Sequence, residues 1–156
     1  MKGGEKMKLN KKGFTLIELL VVIAIIGLLS TLAVVALNTA RTKSRDAKRI
    51  SDVKQIQTAL ELYYADKGNY PTQADGAELG VGSYTVLCST GWSGGVCVVG
   101  ATTYMGQVPK DPTSSGVNKY TFTSPDGSTY SITFNLESGT GSLAAGAHTA
   151  SPNGIQ

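Results

Sequence analysis

The sequence predicts an α+β protein in which one long N-terminal helix packs on a small antiparallel β-sheet. Three observations support this fold class. Residues 14–37 are apolar, residues 38–67 are amphipathic with a helical period, and residues 119–136 alternate between apolar and polar side chains. The 156 residues are enough for one ordinary domain with an additional segment. Composition therefore divides the chain into residues 1–13, 14–37, 38–67 and 68–156.

The first 13 residues form a basic, polar leader. It holds five lysines and one glutamate, whereas the rest of the chain holds nine basic and ten acidic side chains, so the net charge of +3 comes from the leader. A basic balance of this origin does not indicate nucleic-acid binding, and the sequence shows no basic stripe with interleaved aromatic residues. Because lysine-rich flanks stay on the inner side of a membrane, we expect the leader to be cytoplasmic.

Residues 14–37 are predicted to form a transmembrane helix. They carry one charge, Glu18, in 24 positions. A helix of that length reaches roughly 36 Å, against a hydrocarbon core of about 30 Å. The run is longer than the apolar region of a secretory signal, so it is expected to stay in the mature protein. A carboxylate in such a helix costs about 3 kcal/mol, and something should offset that cost.

Residues 38–67 are predicted to continue this helix with one apolar stripe. Its members recur every three or four residues: Ala47, Ile50, Val53, Ile56, Ala59, Leu60, Tyr63 and Tyr64. No proline or glycine interrupts residues 28–67, so one helix is expected from about residue 14 to about residue 66, with Gly68 as its C-terminal stop. Five basic residues near the start of the segment are interpreted partly as a solvated face and partly as a contact with lipid headgroups: Arg41, Lys43, Arg45, Lys48 and Arg49.

Residues 68–156 are predicted to form a head of turns and short strands. GNYPTQADGAELGVGS and QVPKDPTSSG carry turn residues, while SYTVLCS and VCVVGATTY are β-branched and indicate short strands. KYTFT and TYSITFNL alternate, and the SPDGS connector predicts a hairpin between them. One face of this hairpin carries Tyr120, Phe122, Tyr130, Ile132, Phe134 and Leu136. An edge strand is expected around residues 142–148, with frayed residues after it.

Cys88 and Cys97 flank a short loop rich in glycine and serine. Two cysteines are too few for a zinc site without histidines, and the single histidine, His148, is near the C-terminus. A disulfide that closes the loop is favoured, and it would fit an oxidising compartment outside the cytosol. The alternative is two unpaired thiols in strands.

The sequence shows no catalytic set of residues. His148 lies in a polar tail and is a poor general base. The glycine-rich stretches lack the helix and the lysine of a phosphate-binding loop. Asp111 and Asp126 are assigned to turns. We therefore predict neither an enzyme nor a cofactor or metal site.

At residues 11–37 the sequence resembles the N-terminus of type IV pilins and of the related pseudopilins of type II secretion and competence systems. The segment KGFTLIELLVVIAIIG combines a basic leader, Gly13, a Phe-Thr-Leu sequence, a carboxylate and an apolar helix. This resemblance implies that a prepilin peptidase cuts after Gly13, and that the same enzyme methylates Phe14 as the new N-terminus. Residues 38–71, which end in YYADKGNYPT, are also similar to pilins. The VPKDP segment and the strands with Tyr and Phe that follow it are similar to the heads of many pilins and major pseudopilins, although less specifically.

The resemblance also implies a role for Glu18. After cleavage, Phe14 carries a cationic amine in apolar surroundings, and Glu18 would neutralise that amine in a neighbouring subunit or in its own. We therefore predict that Glu18 is an assembly determinant. The alternative is a carboxylate that only reaches lipid headgroups.

The predicted function is that of a structural subunit of a type IV pilus-like filament. Its expected partners are other copies of the chain, the prepilin peptidase, the assembly machinery and the membrane. We expect a single-pass protein of the cytoplasmic membrane, with the head extracytoplasmic, which then enters a surface filament or a pseudopilus.

Two alternatives stay open at this point. The first is a pseudopilin of a secretion or competence system. A pilin is preferred because major pseudopilins tend to have a C-terminal calcium loop rich in Asp and Gly, whereas this chain has no acidic residue after Ser138. The second is a membrane-anchored extracellular binding module that never polymerises and keeps residues 1–13.

Overall fold

One long helix, α1, covers Leu16–Lys67 in the computed structural model, which describes residues 13–156. The predicted leader lies outside the described residues, apart from Gly13. The helix ends at the predicted glycine. Gly68 has a φ of 73° and donates its N–H to the carbonyl of Tyr64 at 2.8 Å, a left-handed conformation that glycine adopts without a steric penalty. The predicted single helix is therefore confirmed.

The chain forms two units, of which the first ends at Thr39 and the second covers Ala40–Gln156. Residues of α1 belong to both. All side chains from residue 14 to residue 37 are exposed. Among the described residues, α1 is the one helix long and apolar enough to cross a membrane, and none of its apolar window is buried.

Eight strands follow α1 and form two antiparallel sheets. The strands are β1 (Gln73–Glu78), β2 (Val86–Cys88), β3 (Gly91–Ser93), β4 (Thr103–Met105), β5 (Thr121–Ser124), β6 (Ser131–Leu136), β7 (Gly146–Ser151) and β8 (Gly154–Ile155). The larger sheet has the order β1-β5-β6-β7-β8, and the smaller has the order β3-β2-β4. The sequence indicates one small sheet, so the second sheet is an addition.

The core of the second unit lies between the apolar stripe of α1 and the strands. From the predicted stripe, Val53, Ile56, Ala59, Leu60 and Tyr63 are buried, whereas its end members Ala47 and Tyr64 are exposed. They share one hydrophobic cluster with apolar side chains of the larger sheet. Each fully buried Val, Leu or Ile contributes roughly 1.5–3 kcal/mol. Packing on the helix thus supplies the burial that a short hairpin lacks, and the predicted α+β fold is confirmed.

The strand predictions are right for the central hairpin and less accurate elsewhere. β5 pairs with β6 with Phe122 opposite Ile132, and the predicted apolar face is buried. The strand expected around residues 142–148 is β7, which is not an edge because β8 pairs with its outer side. Residues expected to fray form β8. β1 lies in a segment that was expected to be a loop, since its side chains are mostly polar or small. It forms a strand because its backbone pairs with β5.

Candidate assembly site

The predicted cleavage point lies at the exposed start of the described chain. Gly13 and Phe14 precede α1, Phe14 is 85% exposed, and no atom lies within 4 Å of a side-chain carbon built on Gly13. A peptidase needs an uncovered backbone outside helices and strands, and residues 13 and 14 have one. Cleavage after Gly13 and methylation of Phe14 stay predictions.

Glu18 lies in the first turn of α1, where it forms a capping box with Thr15. The Glu18 Oε2 atom accepts hydrogen bonds from the Thr15 N–H at 2.8 Å and from the Thr15 hydroxyl at 2.6 Å, and the Thr15 Oγ1 atom accepts the Glu18 N–H at 3.3 Å. The negative charge also lies at the positive end of the helix dipole. Sequence reasoning did not identify Thr15, although T-L-I-E fits the S/T-x-x-E capping pattern.

We expect Thr15→Val to loosen the start of α1. The substitution keeps the side-chain volume but removes the hydroxyl, and loss of an N-cap typically costs about 1 kcal/mol. Amide hydrogen exchange at Glu18 in detergent micelles should become about fivefold faster. Thr15→Ser is the matched control, because it keeps the hydroxyl and should leave exchange unchanged. Equal exchange rates in both variants would show that the capping box is not formed.

The apolar face beyond Glu18 has no cover within the described chain. The leucine, isoleucine and valine side chains from Leu16 to Leu37 are 47–79% exposed. In water each would lose the roughly 1.5–3 kcal/mol that burial provides. This helix segment therefore requires a bilayer or other helices around it.

A buried ion cluster joins α1 to two loops of the head, and we call it the Arg49 cluster: Asp46, Arg49, Asp111 and Glu137. Arg49 is fully buried, and its guanidinium contacts Asp111 at 2.6 Å, Asp46 at 2.8 Å and Glu137 at 2.7 Å. Arg49 is thus not solvent-exposed, which corrects the interpretation of this residue as part of a solvated face. Arg41, Lys43 and Lys48 are exposed, as that interpretation predicts.

The carboxylates of the Arg49 cluster also fix the backbone of the loops. Asp46 accepts the N–H groups of Glu137 at 2.9 Å, Ser138 at 2.8 Å and Gly139 at 3.0 Å, directly after β6. Asp111 accepts the Thr113 N–H at 2.8 Å, which confirms its turn role. Its ion pair with Arg49 spans 62 positions of the sequence, so no local pattern indicates it.

The Arg49 cluster is expected to make stability fall in acid. Burial raises the pKa of Asp111, but hydrogen bonds from Arg49 and Thr113 outweigh it and lower this pKa to about 2 from the ordinary 3.8. A carboxyl whose pKa is lower in the folded state stabilises the fold above its unfolded pKa, and this stabilisation is lost as the pH falls through the folded value.

Urea unfolding at several pH values checks this effect. We expect the contribution of Asp111 to be constant above about pH 5 and to fall by about 2 kcal/mol as the pH drops towards 2. Asp111→Asn should be less stable at neutral pH and should show a smaller loss in acid. If the variant and the natural chain lose the same free energy between pH 5 and pH 2, the ion pair does not operate.

Cys88 and Cys97 form a disulfide in the structure, with an S–S distance of 2.02 Å and a Cα–Cα distance of 5.6 Å. The bond joins the end of β2 to the loop that follows β3. Within residues 13–156, no group of three His, Cys, Asp or Glu side chains is placed to hold a metal ion.

Two family models match the sequence. The prokaryotic N-terminal methylation motif matches residues 8–34, and the model for type II secretion system protein G matches residues 36–142. The second match covers more than half of the chain and includes most of the head.

Individual relatives agree with these matches. The type II secretion system core protein G of Escherichia coli strain K12 is 41% identical over 69 residues, which are 44% of this chain and 48% of that protein. The core protein G of Vibrio cholerae is 31% identical over 121 residues, 78% of this chain and 75% of that protein. The fimbrial protein EcpC of Eikenella corrodens is 40% identical over 75 residues, 48% of each chain. The matched segment spans about half the length of the first of these relatives. No solved structure matches significantly.

Proposed function

Because the chain belongs to the family of type II secretion system protein G and carries the N-terminal methylation motif, we propose that it is a structural subunit of a pilus-like filament. The chain is not an enzyme. In this proposal the protein is stored in the membrane, cut after Gly13, and polymerised through the apolar part of α1.

The observation that carries the proposal is the uncovered apolar surface of residues 16–37. Every leucine, isoleucine and valine in this segment is close to half exposed or more. A bilayer covers such a surface before assembly, and the same segments of neighbouring subunits cover it afterwards. One helix face therefore serves both states, and extraction from the membrane exchanges lipid contacts for helix contacts.

Glu18 supplies specificity to this exchange. Its Oε2 atom is held by Thr15, whereas its Oε1 atom has no hydrogen bond within residues 13–156. Cleavage would create an amine on Phe14, and Oε1 is free to accept that amine from another subunit. Since a buried charge must be paired, only a stagger that brings the two groups together is favourable. Glu18 would thereby fix the axial register between subunits.

The proposed partners and location follow from this cycle. The partners are other copies of the chain, a prepilin peptidase that acts on residues 13 and 14, the assembly machinery and the membrane lipids. The leader, residues 1–13, would lie in the cytoplasm, residues 14–37 in the cytoplasmic membrane, and residues 68–156 outside it. The disulfide between Cys88 and Cys97 suits a head in an oxidising compartment.

The filament has two candidate forms, a pseudopilus within the cell envelope and a pilus on the cell surface. The protein G family supports the pseudopilus, which we place first. The similarity to a fimbrial protein supports the surface pilus, as does a tail without acidic residues after Ser138.

Shearing of intact cells separates the two forms. A pseudopilus subunit at natural expression should stay with the cell envelope, and the sheared fraction should lack it. Filaments of the chain in the sheared fraction, seen by immunogold electron microscopy, would instead identify a surface pilus. A chain found only as monomer in the membrane, with no filament in either fraction, would contradict the proposed function.

A further inference from the structure

A polar cavity with an aromatic wall lies in the second unit, between the C-terminal end of α1 and the smaller sheet. Its volume is about 290 Å³, near the lower end of small-molecule sites. Six of the side chains that line it carry the inference: Tyr63, Asn69, Ser83, Tyr84, Thr90 and Trp92. We propose that this cavity binds a neutral sugar unit of an extracytoplasmic glycan.

The aromatic wall is held in a fixed orientation. Trp92 packs edge-on against Phe122 with ring centroids 5.1 Å apart, and lies 6.4 Å from the ring of Tyr84. Trp92 and Tyr84 are only partly buried. An aromatic ring of this kind offers an apolar face on which the C–H face of a sugar ring can stack, together with a polar group at its edge.

The polar side chains around this wall can form hydrogen bonds with a ligand. Asn69, Ser83 and Thr90 are exposed, so their amide and hydroxyl groups are open to a ligand in the cavity. Hydroxyl groups both donate and accept, so a ligand rich in hydroxyls can bond to an amide and two hydroxyls together.

The charge of the cavity narrows the ligand class. No Asp, Glu, Lys, Arg or His is among its described lining residues. A charged ligand would lose part of its hydration here without gaining an ion pair, so nucleotides, phosphosugars, amines and free carboxylates are disfavoured. A neutral ligand with an apolar face and many hydroxyls remains, which is the chemistry of an uncharged sugar.

The fold also keeps this site in place. Thr90 and Trp92 belong to the turn and strand that follow β2, and the disulfide from Cys88 to Cys97 fastens both sides of this hairpin. The rim is therefore preorganised, which lowers the entropic cost of binding.

The single tryptophan makes the test direct, because Trp92 is the only source of indole fluorescence in the chain. The full chain is purified in a detergent without a sugar headgroup and titrated with glucose, galactose, mannose and N-acetylglucosamine. We expect a saturable change in emission with at least one of them, and saturation-transfer NMR signals from the same sugar. Glucose 6-phosphate and glucosamine should bind at least tenfold more weakly than the best neutral sugar.

Variants separate cavity binding from a general effect. Asn69→Ala and Thr90→Ala should each weaken binding of that sugar about tenfold with unchanged thermal unfolding. Thr133→Ala is the control, since Thr133 is exposed on β6 and does not line the cavity. The proposal is overturned if no neutral sugar gives a signal in either method, if Asn69→Ala and Thr90→Ala bind as tightly as the control, or if adenosine binds more tightly than every sugar.

Discussion

Glu18→Ala is expected to abolish filament assembly while cleavage after Gly13 continues. The variant removes the only charge from residues 14–37, so the amine created on Phe14 would be buried among helices without a counter-charge. An uncompensated buried charge costs about 3–5 kcal/mol. At about 1.4 kcal/mol for each factor of ten, filament yield should fall by at least a hundredfold. Quantification of pelleted filaments against total processed subunit measures this.

A second substitution separates the charge of Glu18 from its capping role. Glutamine at this position can still close the capping box with Thr15, but it carries no charge. Glu18→Gln should therefore keep the start of α1 ordered and still fail to assemble. Glu78→Ala is the control for loss of a carboxylate elsewhere, since Glu78 lies on β1 in the head. Normal filament yield from Glu18→Gln would show that no charge pairing is needed.

Arg49→Met is expected to lower the free energy of unfolding of the second unit, Ala40–Gln156, more than the other substitutions proposed in it. The substitution keeps most of the side-chain length but leaves Asp46 and Asp111 buried and unpaired, although both carboxylates stay hydrogen-bonded to backbone N–H groups. Removing one partner of a buried ion pair typically costs about 3–5 kcal/mol. For a domain of this size the midpoint of thermal unfolding should fall by about 10–20 °C.

Urea unfolding followed by Trp92 fluorescence measures the effect of Arg49→Met. Arg41→Met is the matched control, because Arg41 is exposed, and its loss should change the free energy of unfolding by less than about 0.5 kcal/mol. Equal stabilities of the two variants would mean that the Arg49 cluster does not hold the helix to the loops at Asp111 and Glu137.

The parts of the fold that were predictable have a strong local pattern. The helix to Lys67 follows from an apolar run, a stripe with helical spacing and a terminal glycine. The β5–β6 hairpin follows from strict alternation and a Pro-Asp-Gly turn. β1 was missed because Gln73–Glu78 is polar or small and becomes a strand only through pairing with β5.

The site was predictable to a similar, limited extent. Gly13, Phe14 and Glu18 stand out through a motif, and their roles stay predictions. The capping partner of Glu18 is visible in T-L-I-E, but the interpretation of the carboxylate as a partner for an amine or for lipid headgroups did not include it. The contacts of the Arg49 cluster with the loops could not be found from sequence. Those from Arg49 to Asp111 and from Asp46 to Glu137 span 62 and 91 positions and form only after the sheet has packed on α1.

The central claim is that the chain is cut after Gly13 and polymerises through the segment that then begins with Phe14. Mass spectrometry of the N-terminus of the protein in purified filaments tests it most directly. The account predicts an N-terminal peptide that begins with methylated Phe14 and contains Glu18. A chain that keeps Met1, stays in the membrane and yields no filaments would contradict it, and would identify a membrane-anchored protein that does not polymerise.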